Sequence, residues 1–251
     1  PATKRGLLHD RAFMVIDENG TMMTQREHPQ MCLIDLYQHG LQITLGDSYG
    51  SRETFLLGCN DSAEMTVKVW DDSVRAFDQG DEIARWLSVR LGRCRLVRMP
   101  QDEIRNTRRG EGQVGFADGY PILGISEASL DDLNARMKTS SVSMDRFRPN
   151  IVFIGCARFE EDTWRRIRIG DVELVGETLC ARCEIPTTNQ KTAERGKEPN
   201  TTLATFRRAK HIVAPAWKLP YPSKVYFGRN FNIASTGRVE VGMEIEVIER
   251  D

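Results

Sequence analysis

The sequence of 251 residues lacks any apolar run approaching the ~18 residues that span a bilayer as a helix. Its longest apolar pieces are fragments such as residues 151–154, so a membrane-spanning helix is excluded. The opening Pro-Ala-Thr-Lys-Arg has no apolar signal region and no initiator methionine, so we expect either a processed chain or one whose true N-terminus is missing. Histidine is scarce, and His9, His28, His39 and His211 are too scattered for a histidine-based triad or facial metal site. The six cysteines are spread through a long chain, unlike a disulfide scaffold, and point to a reduced, cytoplasmic setting. Nucleotide-binding glycine loops, the G-x-S-x-G elbow, H-E-x-x-H and the kinase motifs are all missing.

What is present is an ordinary globular composition, 40% hydrophobic and 28% charged, large enough to bury a substantial core. Charge is balanced overall, with 35 basic against 36 acidic residues, but unevenly distributed. Arg85, Arg90, Arg93, Arg95, Arg98, Arg105, Arg108 and Arg109 stand against Asp102 and Glu103 alone. Such an excess suits an anionic ligand or an acidic partner, or is a solvated face. Without a binding motif or interleaved aromatics, no nucleic-acid partner is expected.

Short β-type segments dominate. Residues 11–17 and 21–26 flank Asn19-Gly20 and read as a hairpin. Further strands are expected at 41–45, 65–70, 94–99, 151–154, 166–169, 172–175, 224–227 and 239–248. Helices are expected where Ile83, Trp86, Leu87 and Leu91 share a face ahead of Gly92, from the N-cap Ser126 onward, and over 202–208. The pattern predicts a β-rich α+β fold, barrel-like rather than alternating βαβ, with domains at 1–104 and 105–251.

Cys180-Ala181-Arg182-Cys183 is the one close cysteine pair. Its spacing leaves open a redox couple, half of a zinc site, two inert thiols, or one reactive or metal-ligating thiolate supported by Arg182. Pro186 disfavours the redox couple, and the lack of a second C-x-x-C disfavours zinc. Asp118-Gly119 is a turn signal able to line a polar site, and Arg148, before Pro149, is expected to be extended and to offer a guanidinium fork to phosphate.

In order, the chain carries G-L-x-x-D-R (Gly6 to Arg11), T-x-R-x-x-P (Thr24 to Pro29), FADGYP, SEASLDDLN, RFRPNIV, IRIGDVEL, C-x-R-C-x-x-x-T-T, EP-x-x-TL-x-x-FR and FG-x-N. This series resembles the MOSC family with its N-terminal β-barrel half, and most of all the YcbX-type proteins and mitochondrial amidoxime-reducing components. The resemblance implies a MOSC-type β-barrel and a molybdenum cofactor (molybdopterin) ligated by the Cys183 thiolate. It implies that Arg11 and Arg148 hold the pterin phosphate, and that Asn150, Arg182 and Asp118, Gly119 and Tyr120 line the pocket. Cys180 would be a neighbour, not a ligand.

The implied activity is reduction of small N-hydroxylated compounds, or alternatively a non-catalytic role as carrier of the cofactor or of persulfide sulfur. Members of the family have a P-x-K-S strand that this sequence lacks, which leads us to expect a missing first strand. No C-x₄-C-x₂-C run for a [2Fe–2S] domain is present, so electrons are expected from a separate ferredoxin-like donor or a missing domain. Pyridoxal phosphate is not expected.

Overall fold

The computed structural model describes residues 1–40, 42–48, 50–56, 63–138 and 141–251. Leu41, at the start of the expected strand 41–45, and Cys59 lie outside the described residues. The architecture is β-rich α+β with short helices, as expected, and the chain divides into two compact units. A front unit holds residues 11–103 and 188–195; a back unit holds 1–10, 104–187 and 196–251.

In the front unit, Phe13–Ile16, Arg95–Arg98, Asp72–Asp78 and Glu64–Val69 form an antiparallel sheet in that order. Ile34–His39, Gln42–Asp47 and Arg52–Leu56 form a second. Helix α1 (Asp81–Leu91) buries Ile83, Trp86, Leu87 and Leu91 against Ile43, Leu45 and Leu96, and Gly92 ends it at φ 84°. That face is the one its spacing predicts.

The expected hairpin is only half formed. Asp17 accepts the amides of Asn19 and Thr21 and closes the turn, with Gly20 at φ 73°. The second arm makes isolated bridges rather than a strand, Met22 to Ile16 and Thr21 to Lys68. The strands Ile34–His39, Arg52–Leu56, Asp72–Asp78 and Ile122–Ser126 were not anticipated.

Several arginines of the run are engaged by carboxylates of their own unit. Arg90 pairs with Asp47 and stacks on Trp86, Arg93 pairs with Glu18, and Arg95 with Asp78 and Asp81. These pairs remove much of the anion-attracting charge that the sequence suggested.

The back unit is a six-stranded sheet ordered Ile151–Phe153, Ile122–Ser126, Tyr226–Ile233, Val172–Ala181, Trp164–Ile169, Ile245–Arg250. Its pairings are antiparallel except the first, where helix α2 (Glu127–Arg136) carries the chain from Ile122–Ser126 to a parallel neighbour in a βαβ unit. Ser126 caps α2 by accepting the Ser129 amide at 3.1 Å, as its sequence position predicts. The expected strand 239–248 begins only at Ile245, because a turn closes from the Met243 amide to the Glu240 carbonyl and Gly242 adopts φ 90°. The third helix, α3, covers Asn200–Phe206. The core packs Ile122, Phe153, Trp164, Ile167, Leu174 and Phe231, with the Phe153 ring edge-on to Trp164 at 4.8 Å.

Glu161 is fully buried and accepts the Ser126 amide (3.2 Å) and the hydroxyls of Ser126 (3.0 Å) and Ser129 (2.8 Å). Burial, and then the charge of Asp162, push its carboxyl above the usual range. Its protonated form is therefore favoured by folding, so this contribution is full below the unfolded pKa and lost as pH rises through the folded one. Accordingly, the stability difference between wild type and Glu161→Gln, measured by urea unfolding, will move in the variant's favour as pH rises from about 4 to 8. A flat difference would overturn this.

Candidate functional site

The strand Val172–Ala181 lies between Trp164–Ile169 and Tyr226–Ile233, and its register against the latter shifts between Gly176 and Leu179 and again before Ala181. Such irregularities re-aim side chains. Its end delivers Cys180 and then the loop with Arg182 and Cys183, which the Arg182 amide pins to the Val225 carbonyl at 2.8 Å.

Arg182 is buried. Its Nη1 donates to Cys180 Sγ at 3.0 Å and its Nη2 to the Phe147 carbonyl at 2.9 Å, with the guanidinium 5.3 Å from the Phe147 ring centre. Its Nε has no partner. Among the described residues no carboxylate pairs with it. A buried cation in that position calls for an anionic group beside it. Burial pushes the Cys180 thiol up while Arg182 pulls it back. The guanidinium expected to serve the cysteine pair thus reaches Cys180 rather than Cys183.

Cys183 keeps partial exposure, and its Sγ accepts the Ile185 amide at 3.4 Å. Its carbonyl accepts Asn200 Nδ2 at 2.7 Å, while Asn200 Oδ1 is buried without a partner. An unfilled donor at Arg182 and an unfilled acceptor at Asn200 therefore belong to the two side chains that hold the Cys183 loop.

Arg148 departs from expectation. It is left-handed (φ 54°, ψ 48°) rather than extended, because the 3₁₀ turn Met144–Phe147 ends there and the Arg148 amide closes onto the Asp145 carbonyl at 3.1 Å. The turn overrides the bias imposed by Pro149, at a cost of about 1–2 kcal/mol. Asn150 Oδ1 accepts the Leu123 amide at 2.8 Å and Nδ2 donates to Asp10 at 2.6 Å. Its side chain thus clamps the strand Ile122–Ser126 to the residue before Arg11. Arg11 itself belongs to the front unit and is also left-handed, at φ 49°.

The segment around Asp118 is held from within by Arg105, which donates to the carbonyls of Gly115 (3.0 Å), Ala117 (2.6 Å) and Asp118 (3.4 Å). At Gly119 a Cβ would come within 2.8 Å of Arg108 Cδ, so a larger residue there would push the arginine side chain aside. Beyond Gly119, Tyr120 hydrogen-bonds Thr178, two residues before Cys180, which ties the turn to the strand that carries the cysteine loop. Tyr120 is half-buried, and burial pushes its phenol up against the opposing hydrogen bond with Thr178.

The back unit therefore brings together Asp118 to Tyr120, Phe147 to Asn150, Cys180 to Cys183 and Asp10. Sequence reasoning missed Asn200 and named Arg105 and Arg108 only as members of the arginine run. Only Asn200 had a signal, since it lies within the EP-x-x-TL segment, while the two arginines were indistinguishable within their run. No group of three or more His, Cys, Asp and Glu side chains capable of holding a metal occurs among the described residues. A metal at Cys183 would have to bring most of its own donors, and the soft sulfur and the two unfilled polar atoms fit a metal held in an organic cofactor.

The MOSC domain model matches residues 111–246 and the MOSC N-terminal beta barrel domain model residues 1–94. The mitochondrial amidoxime-reducing component 1 of Mus musculus is 34% identical over 250 residues, covering 94% of this chain and 72% of its own. The mitochondrial amidoxime reducing component 2 of Bos taurus is 34% identical over 253 residues, covering 95% and 73%. Molybdenum cofactor sulfurase 2 of Culex quinquefasciatus is 32% identical over 227 residues, covering 81% of this chain but 29% of its own.

Removing the Asn150 clamp takes away the Asn150 hydrogen bond to the Leu123 amide and the one to Asp10. Asn150→Ala should cost about 1–2 kcal/mol, seen as a lower urea midpoint with an unchanged slope. An unshifted midpoint would contradict the clamp.

Proposed function

This chain belongs to the MOSC family, carrying the MOSC domain behind its N-terminal β-barrel domain, and from that membership we propose that it is a molybdenum-cofactor-dependent reductase of small N-hydroxylated compounds. The observation that carries the reading is Cys183, a partly exposed thiol whose loop is held by a buried guanidinium without a carboxylate partner among the described residues. Relatives described as amidoxime-reducing components at 34% identity support the choice of substrate class.

Cys183 would supply the protein thiolate to the metal. Arg182 would stabilise negative charge in the pocket through its unfilled Nε, and Asn200 would offer its unfilled Oδ1 to a donor on the pterin. Arg148, fixed in direction by its left-handed backbone, would hold the pterin phosphate, and Arg11 is assigned the same role by its motif. Asn150 serves from behind by holding Asp10, and Asp118, Gly119 and Tyr120 would form the wall on the Cys180 side. Tyr120 keeps its proton at neutral pH, because burial raises its phenol.

When bound, the cofactor would supply the two-electron cleavage of the N–O bond, in which substrate, two electrons and two protons give the reduced base and water. The electrons would come from a separate ferredoxin-like donor. The likeness to a molybdenum cofactor sulfurase supports a second reading, a carrier of the cofactor or of persulfide sulfur on Cys183.

Metal analysis by mass spectrometry, on protein from cells able to make the cofactor, tests both readings. We expect near-stoichiometric molybdenum in wild type and Cys180→Ala, its loss in Cys183→Ala, and reduction of an aryl amidoxime by the loaded protein with a chemical electron donor. Molybdenum retained in Cys183→Ala would overturn the ligand assignment. Loaded protein inactive on several N-hydroxylated substrates would favour the carrier.

A further inference from the structure

We infer that Arg108 is an anion anchor for the substrate, selecting N-hydroxylated compounds that carry a carboxylate on an aromatic ring. This rests on the reductase reading and adds to it a substrate preference. The backbone places Arg108 against the turn at Asp118-Gly119, since its amide donates to the Gly119 carbonyl at 3.2 Å. Its side chain lies flat over that glycine, with Cδ 2.8 Å and Nε 3.0 Å from where a Cβ would stand. From there Nη1 donates to the Tyr221 hydroxyl at 2.8 Å. The guanidinium is thus fixed at both ends while remaining exposed.

Its neighbours along the chain are neutralised in ways that Arg108 is not. Arg105 is buried and engaged with three carbonyls. Arg109 stacks on Trp217 at 4.4 Å with Glu177 3.8 Å from its Nε. Among the described residues Arg108 has no carboxylate partner, and its one side-chain hydrogen bond is to a neutral phenol. A guanidinium carries five N–H donors in a fixed fork, so several remain for a bidentate oxyanion. The exposed Tyr221 ring beside it offers an apolar face of the kind an aryl group covers. The same turn continues into Tyr120, which hydrogen-bonds Thr178 on the strand that leads to the cysteine loop. An aryl carboxylate bound at Arg108 and Tyr221 would therefore lie beside the turn that is tied to the strand carrying the cysteine loop.

The test compares benzamidoxime with 4-carboxybenzamidoxime on the molybdenum-loaded protein, by calorimetric binding and, separately, by kcat/KM with a chemical electron donor. We expect the carboxylate to bind about five- to tenfold more tightly at low salt, with the advantage shrinking as salt rises. Arg108→Gln should abolish the preference between the two probes, and Arg108→Lys, which keeps the charge but not the fork, should retain part of it. Equal binding of the two probes to wild type would overturn the inference. So would a preference that survives Arg108→Gln, or a variant that weakens both probes alike. Reduction without a preference would sink the anchor alone, whereas a binding preference without any N–O reduction would sink the reductase reading and leave the anchor standing.

Discussion

Every backbone amide and carbonyl of a buried strand needs a partner, and the ten-residue strand Val172–Ala181 finds its partners in two ladders, Val172–Val175 against one neighbour and Leu174–Ala181 against the other. It is tied to Trp164–Ile169 on one side and to Tyr226–Ile233 on the other, so its direction is fixed by two independent ladders. The departures from regular register fall near its C-terminal end, past Gly176 and Leu179, just before the cysteine loop. The candidate site is an irregular loop growing from the most heavily constrained element of the back unit. Rigidity behind and irregularity in front is how a few side chains come to be held in place without a dedicated domain.

The loops around that strand are organised chiefly by guanidinium groups that donate to main-chain oxygens. Arg182 binds Phe147, Arg105 gathers three carbonyls of residues 115–118, and Arg229 reaches the Asp162 and Gly176 carbonyls. Arg229 and Lys218 also meet Asp251, and Arg207 pairs with Asp162, so cation and anion are both withdrawn from solvent. Each such donor satisfies carbonyls that irregular backbone would otherwise leave bare. This gives a physical reason for so many arginines in a chain of almost zero net charge.

How much of this could be read beforehand depended on whether the cause was local. Helix α1 was legible because its four apolar residues and Gly92 report directly on one face and one end. The Ser126 cap was legible for the same reason. The strand Asp72–Asp78 was not, because only Val74 and Ala76 are buried among polar neighbours and the alternation is too short to register. Arg148 was misread because the local steric rule at Pro149 yields to the turn before it. At Cys183, spacing alone left four chemistries open, and only the ordered series of motifs along the chain narrowed them. The destinations of the arginines depend on partners scores of residues away, which composition does not encode.

The carbonyl-gathering arginines also bear on how such a sequence can drift. Lysine keeps the charge but has a single ammonium in place of a planar fork, so it cannot span the Gly115, Ala117 and Asp118 oxygens as Arg105 does. In a comparison of related chains, an arginine-to-lysine exchange at 93, where the guanidinium is exposed beside Glu18, would be an interchange of equals. The same exchange at 105, 182 or 229 would have to travel with a change in the loop it supports. Basic residues that look alike in composition therefore fall into two populations, one free to vary and one that varies only together with its loop.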